Sequence, residues 1–173
     1  MTDDPAVARA TADDLPARII ADLAARGLTI AVAESLTGGL LVAELISVPG
    51  ASAVVLGGVV AYNTELKHTL LGVDATLLAA HGPVHPDVAM QMAAGVRKTL
   101  AVAGAAADVG IATTGVAGPV PQGGQPPGVV FIAIAVGSDV RTVGLRLFGS
   151  RDQIRRRVVD ESLRQLSERL EIR

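Results

Sequence analysis

Three stretches of the chain bring hydroxyls, glycines and a lysine together in patterns suited to nucleophilic attack on an anionic substrate. The first is Glu34-Ser35-Leu36-Thr37-Gly38-Gly39, which follows the short apolar run Leu28 to Ala33 and leads into a helical stretch to about Val48. A strand-to-helix turn of this kind exposes its hydroxyl and aims the free amides of the helix at a bound group, so it serves either a nucleophile or a phosphate. Ser35 is the candidate nucleophile, with Thr37, Gly38 and Gly39 as candidate ligand contacts; the plain alternative is a helix cap with glycines for tight packing. The second stretch holds Tyr62 at the end of a strand and Lys67 in the next short helix. A lysine can take the proton of a serine only if burial or nearby positive charge lowers its pKa from about 10.4 to roughly 7 to 8. That shift amounts to roughly 3 to 5 kcal/mol of environment, so a catalytic Lys67 has to lie in a cleft, whereas an ordinary lysine is solvated. The third stretch, Thr113 to Pro119, adds Thr114 and Gly115 at the end of another strand, where open α/β sheets bind ligands; alone, such a string also serves as a simple turn.

Other chemistries find less support. The chain has no cysteine, which excludes a thiol nucleophile, a disulfide framework and a thiolate metal site. His68, His81 and His85 are not paired with acidic residues in a recognisable pattern, and no metal-ligand spacing occurs. Arg151 falls one residue past the cap of the last helix, where a cation opposes the helix dipole. Its placement points either to an anionic ligand or to an exposed charge offset by Asp152.

The elements that must position these residues read as alternating helices and strands. Leu15, Ile19, Ile20 and Leu23 recur at helical spacing, and Gly27 stands where a left-handed C-terminal cap is expected. Strands are predicted over Leu28 to Ala33, Ala53 to Tyr62, Val109 to Thr113, Gly128 to Val136 and Val140 to Phe148, with a bulge or close backbone contact at Gly57 and Gly58. Asn63 or Thr64 caps a short helix, and Asp74 opens another. Val88, Met92, Val96 and Leu100 give a buried stripe from about Asp87 to Val102. Ser150 and Gln153 form a Ser-x-x-Gln capping box ahead of a final amphipathic helix. The sum is a three-layer α/β/α sandwich around a mixed, mostly parallel five-stranded sheet with one reversed strand. Residues 1–14 read as a mobile tail and 15–173 as a single domain.

Composition narrows the function classes. Fifteen basic and seventeen acidic residues give a formal charge of -2, which supplies no broad cationic surface, so nucleic acid is not an expected partner. No apolar run reaches membrane-spanning length, and Met1 to Ala12 lacks the basic start of a signal peptide, so a cytoplasmic protein is expected.

Taken together, Ala33-Glu34-Ser35-Leu36-Thr37-Gly38-Gly39, Pro49-Gly50-Ala51-Ser52, Gly57-Gly58-Val59-Val60-Ala61-Tyr62, Lys67 with Leu70-Leu71-Gly72-Val73, and Thr114-Gly115-Val116-Ala117-Gly118-Pro119 closely resemble the CinA C-terminal domain family. The resemblance runs from about Leu15 to the last helix. It implies a fold like the anticodon-binding domain and hydrolysis of nicotinamide mononucleotide (NMN) to nicotinic acid mononucleotide and ammonia, in pyridine nucleotide salvage. It places the family's serine on Ser35, its tyrosine and lysine on Tyr62 and Lys67, its loop threonine on Thr114 and its helix-opening arginine on Arg151. It implies no cofactor or metal, a small nucleotide as substrate and a homo-oligomer. Three features depart from the family pattern: Leu36 replaces a cysteine, His85 replaces a serine, and the segment 119–127 lacks the usual Lys-Pro pair. A nucleotide-binding module without turnover is the alternative these departures keep open.

Overall fold

The structure, a computed structural model, describes residues 15–172; the expected tail over 1–14 lies outside the described residues. The chain runs α1 (Leu15–Arg26), β1 (Ile30–Glu34), α2 (Leu40–Ile46), a 3-10 turn (Ala51–Ala53), β2 (Val55–Val60), α3 (Thr64–Thr69), α4 (Ala75–His81), α5 (Pro86–Thr99), β3 (Val109–Gly115), β4 (Val129–Val136), β5 (Asp139–Arg146) and α6 (Arg151–Arg169). One five-stranded sheet has the order β2-β1-β3-β4-β5. β1 lies parallel to both β2 and β3, while β4 is antiparallel to β3 and to β5, so β4 is the single reversed strand. The three-layer sandwich and its mixed sheet are those expected from the sequence.

Local signals explain most element ends. Gly27 adopts φ +64°, and Leu28 N–H reaches back to Leu23 O at 2.9 Å, closing α1 with a left-handed residue that costs glycine little. The Asn63 side chain accepts from Glu65 N–H at the start of α3, and Asp74 caps α4 through Thr76 and Leu77. Both halves of the Ser150–Gln153 capping box are formed. The bulge expected at the glycines of β2 appears as a register shift: Ile30 pairs with Val55 but Ala31 with Gly57. α5 stops at Thr99, short of the expected Val102, because Val102 and Ala105 pair across a tight turn that sends the chain back toward β3.

The two faces of the sheet are built from different residues. Alternation along each strand puts Ile30, Val32, Val109, Ile111, Val130, Ile132 and Ile134 against α1, α2 and α6. The opposite face presents Ala31, Ala33, Ala112, Ala133 and Ala135 to α5, which contributes Val88, Met92 and Val96. Small residues let α5 approach so closely that a Cβ at Gly110 would collide with the Ala93 carbonyl oxygen, and one at Gly95 with the Leu71 carbonyl oxygen.

Candidate active site

The parallel strands β1, β2 and β3 end side by side, and the residues just past them meet at one cavity. Ser35 follows β1, Ala61 and Tyr62 follow β2, and Thr114 and Gly115 end β3. The cavity measures about 270 Å³, at the small end of ordinary ligand sites, and Ser35, Tyr62, Lys67, Thr114, Gly115 and Arg151 all line it.

Ser35 is held by its neighbours. The buried Glu34 carboxylate accepts from the N–H groups of Gly39 (3.0 Å), Leu41 (3.1 Å) and Val42 (2.9 Å), so it caps α2 from the strand side. Glu34 O also accepts from Ala61 N–H at 2.8 Å, which carries the β1–β2 pairing to the cavity edge. The amides at the start of α2, expected from the sequence to face a ligand, are therefore taken by the protein's own carboxylate. Thr37 is fully buried, with its hydroxyl 2.8 Å from that of Thr113, and Gly38 donates to Ser35 O. The structure does not bring Thr37, Gly38 or Gly39 to the cavity wall.

Lys67 reaches the site from the short helix α3, where it is the buried residue, 1% exposed. Its Nζ lies 3.0 Å from Ser35 Oγ and donates to Ala61 O at 2.6 Å. Among the described residues no acidic side chain lines the cavity, and burial pushes the Lys67 ammonium down from 10.5 to about 8. The cleft that a basic Lys67 requires is thus present, with a shift worth about 3 kcal/mol.

The opposite wall is cationic and tied together by α6. Arg151 donates to Gly118 O at 2.8 Å and to the Tyr62 hydroxyl at 2.9 Å, while Asp152 pairs with Arg156 instead of offsetting Arg151. Tyr62 is half-exposed, and neither Ser35 nor Lys67 is a hydrogen-bond partner of its hydroxyl. Thr114 donates its hydroxyl to Pro83 O at 2.6 Å, which joins the segment before α5 to the end of β3. Two residues that sequence pattern does not single out as functional also shape the site: Glu34, and Arg155, which donates to the carbonyls of Leu36 and Thr37. A carboxylate interrupting an apolar strand, and an arginine one turn after Arg151, were the signals for them. Among the described residues no group of three or more His, Asp or Glu is arranged to hold a metal ion, and no helix is long and apolar enough to cross a membrane.

Fold and site together define a three-layer α/β sandwich with a serine–lysine pair buried at the C-terminal ends of its parallel strands. Solved structures share this fold. The chain superposes on the competence-damaged protein (CinA) superfamily protein of Klebsiella pneumoniae 700603 with TM-score 0.83 and 34% identity, covering 91% of this chain and 96% of that one. The corresponding protein of Enterobacter cloacae gives TM-score 0.84 at 28% identity, with 94% and 98% covered. Residues 12–170 match the CinA C-terminal domain family, and the chain belongs to that family. Its relatives include CinA-like proteins of Frankia casuarinae, 48% identical over 151 residues (87% of this chain, 34% of that protein), and of Gemmatimonas aurantiaca, 45% identical over 157 residues (89% and 35%). The chain spans about a third of the length of these curated relatives.

Proposed function

We propose that the chain is a serine amidohydrolase that cleaves the carboxamide of NMN, giving nicotinic acid mononucleotide and ammonia. The observation that carries this reading is the 3.0 Å contact between Lys67 Nζ and Ser35 Oγ, in a cavity whose charged wall residues, among the described residues, are Lys67 and Arg151. With a pKa of about 8, about one-tenth of Lys67 is neutral at pH 7, several hundred times more than for a solvated lysine.

In the neutral amine one N–H points to Ala61 O, which leaves the lone pair free to face the serine hydroxyl. Lys67 takes the proton as Ser35 Oγ attacks the carboxamide carbon, and returns it to the departing nitrogen, so that ammonia leaves and an acyl-enzyme remains. Water, deprotonated by the same amine, then attacks the ester carbonyl and releases the acid. The N–H of Leu36, the residue after the nucleophile, serves as oxyanion donor in this reading; such a donor is worth about 3 kcal/mol in related chemistries. At the far wall Arg151 exchanges its neutral partners, Gly118 O and the Tyr62 hydroxyl, for the phosphate of the nucleotide.

Ammonia release measured side by side on NMN and on free nicotinamide tests reaction and phosphate requirement together. Turnover of NMN far above that of nicotinamide, abolished in Ser35→Ala and in Lys67→Ala with the fold intact, is the expected result. Unaltered turnover in Ser35→Ala refutes the nucleophile. Tight NMN binding by calorimetry without ammonia establishes the binding module in place of the enzyme.

A further inference from the structure

Arg155 stands four residues after Arg151 on α6, but its guanidinium serves a different segment. Nε donates to Leu36 O and Nη2 to Thr37 O, both at 2.9 Å, so one planar group holds two successive carbonyls of the turn that follows Ser35. Arg155 forms no salt bridge among the described residues, and the turn is its hydrogen-bonding partner. The packing leaves little slack: Gly38 adopts φ +60°, and a Cβ there would lie 3.3 Å from Nη2.

Holding these carbonyls determines where the amides point. The peptide units of the turn are trans, and in a trans unit C=O and N–H point in opposite directions. The grip on Leu36 O therefore sets the Thr37 N–H. The grip on Thr37 O, which also accepts from the Leu40 N–H at 3.3 Å, helps set the Gly38 N–H, which donates to Ser35 O at 3.2 Å. That bond in turn sets the N–H on the other side of the same peptide unit, which belongs to Leu36. Leu36 lines the cavity beside Ser35, and neither its N–H nor that of Thr37 donates to a protein acceptor among the described residues.

We propose that Arg155 is a positioning residue: by holding the Leu36 and Thr37 carbonyls from α6, it aims the Leu36 amide at the oxyanion formed when Ser35 attacks. The proposal rests on the Ser35–Lys67 reading but not on the identity of the substrate. A lysine at 155 keeps the charge but cannot span two carbonyls with a fixed fork, and methionine keeps the bulk of the stem alone.

The test uses an alkyl fluorophosphonate, which needs the nucleophile, the base and the oxyanion donor but no nucleotide. Ser35 Oγ forms the P–O bond, the P–F bond breaks with loss of fluoride, and the hydroxyl proton passes to Lys67. Labelling of Ser35 is followed by mass spectrometry for the wild type, Arg155→Lys and Arg155→Met. The expected result is a loss of about tenfold or more in the labelling rate constant for both variants, with unchanged circular dichroism and cooperative melting. Low-millimolar guanidinium restores part of the rate in Arg155→Met, and on NMN the loss falls on kcat while KM holds. A wild-type labelling rate in Arg155→Lys or Arg155→Met overturns the proposal, as does the absence of any labelling of wild-type Ser35. Labelling of the wild type without ammonia release from NMN overturns the amidase reading alone, and the comparison of rates still decides the role of Arg155.

Discussion

Replacing Lys67 by methionine separates the chemistry of this lysine from its effect on the fold. The ammonium is buried with one hydroxyl and one carbonyl as partners, and its pKa of about 8 in the folded protein compares with 10.5 for the free group. Below pH 8 the lysine is protonated in both states, and the native state carries the full desolvation penalty, about 3 kcal/mol. Between pH 8 and 10.5 the unfolded chain binds more protons than the folded one, so stability rises with pH, and above 10.5 the penalty is gone. Methionine of similar length removes the penalty at every pH but leaves Ser35 Oγ and Ala61 O without their N–H donor, at about 1 kcal/mol each. Lys67→Met is therefore expected to be more stable than the wild type by about 1 kcal/mol near pH 7 and less stable by a similar amount near pH 10. The change in the difference, about 2 to 3 kcal/mol, is the quantity to measure, because every other titrating group is common to both proteins. Urea unfolding of the two proteins at both pH values supplies it. A stability difference that is the same at pH 7 and pH 10 refutes the assignment of Lys67 as a buried, depressed amine.

Three further outcomes follow from the same structure. The kcat/KM for NMN should rise with unit slope to a plateau with an apparent pKa near 8, because the neutral form of Lys67 is the active one; a flat profile from pH 6 to 9 contradicts this. Glu34→Gln should destabilise the fold by about 2 to 4 kcal/mol in denaturant unfolding, since an amide cannot accept from three N–H groups and offers a donor where an acceptor is needed. Gly110→Ala should cost about 3 kcal/mol or more, or prevent folding, because the added Cβ would collide with the backbone carbonyl oxygen of Ala93; a melting temperature within a few degrees of the wild type contradicts the close packing described.

Much of this architecture could be read from local signals. Gly27, Asn63, Asp74 and the Ser150–Gln153 pair each act within a few residues of themselves, and each ends or starts its element where the sequence indicates. Ser35 and Lys67 could be nominated from residue type and place, but their 3.0 Å contact depends on β1 and β2 lying side by side, which no short stretch encodes. Glu34 defeated local reading for a related reason. A carboxylate beside a candidate nucleophile suggests chemistry, and its actual partners are amides five to eight residues ahead that come within reach only once α2 folds back over the strand. Glu34 takes up the Gly39 amide, the Thr37 hydroxyl turns to Thr113 and the Gly38 amide turns to Ser35 O, and none of the three lines the cavity. The small-residue face toward α5, Ala31, Ala33, Gly110, Ala112, Ala133 and Ala135, likewise gains its meaning from what approaches it.

α6 fastens the cavity from outside the strands, through Arg151 to the β3–β4 loop and Tyr62, and through Arg155 to the turn after Ser35. Ribosomal synthesis delivers the nucleophile and its base long before it delivers these clasps, and the chain emerges N-terminus first. A nascent polypeptide stalled ahead of residue 151 holds both reactive groups yet leaves the serine turn and the rim unfastened. Completion of the serine turn and of the rim thereby waits on the synthesis and docking of α6.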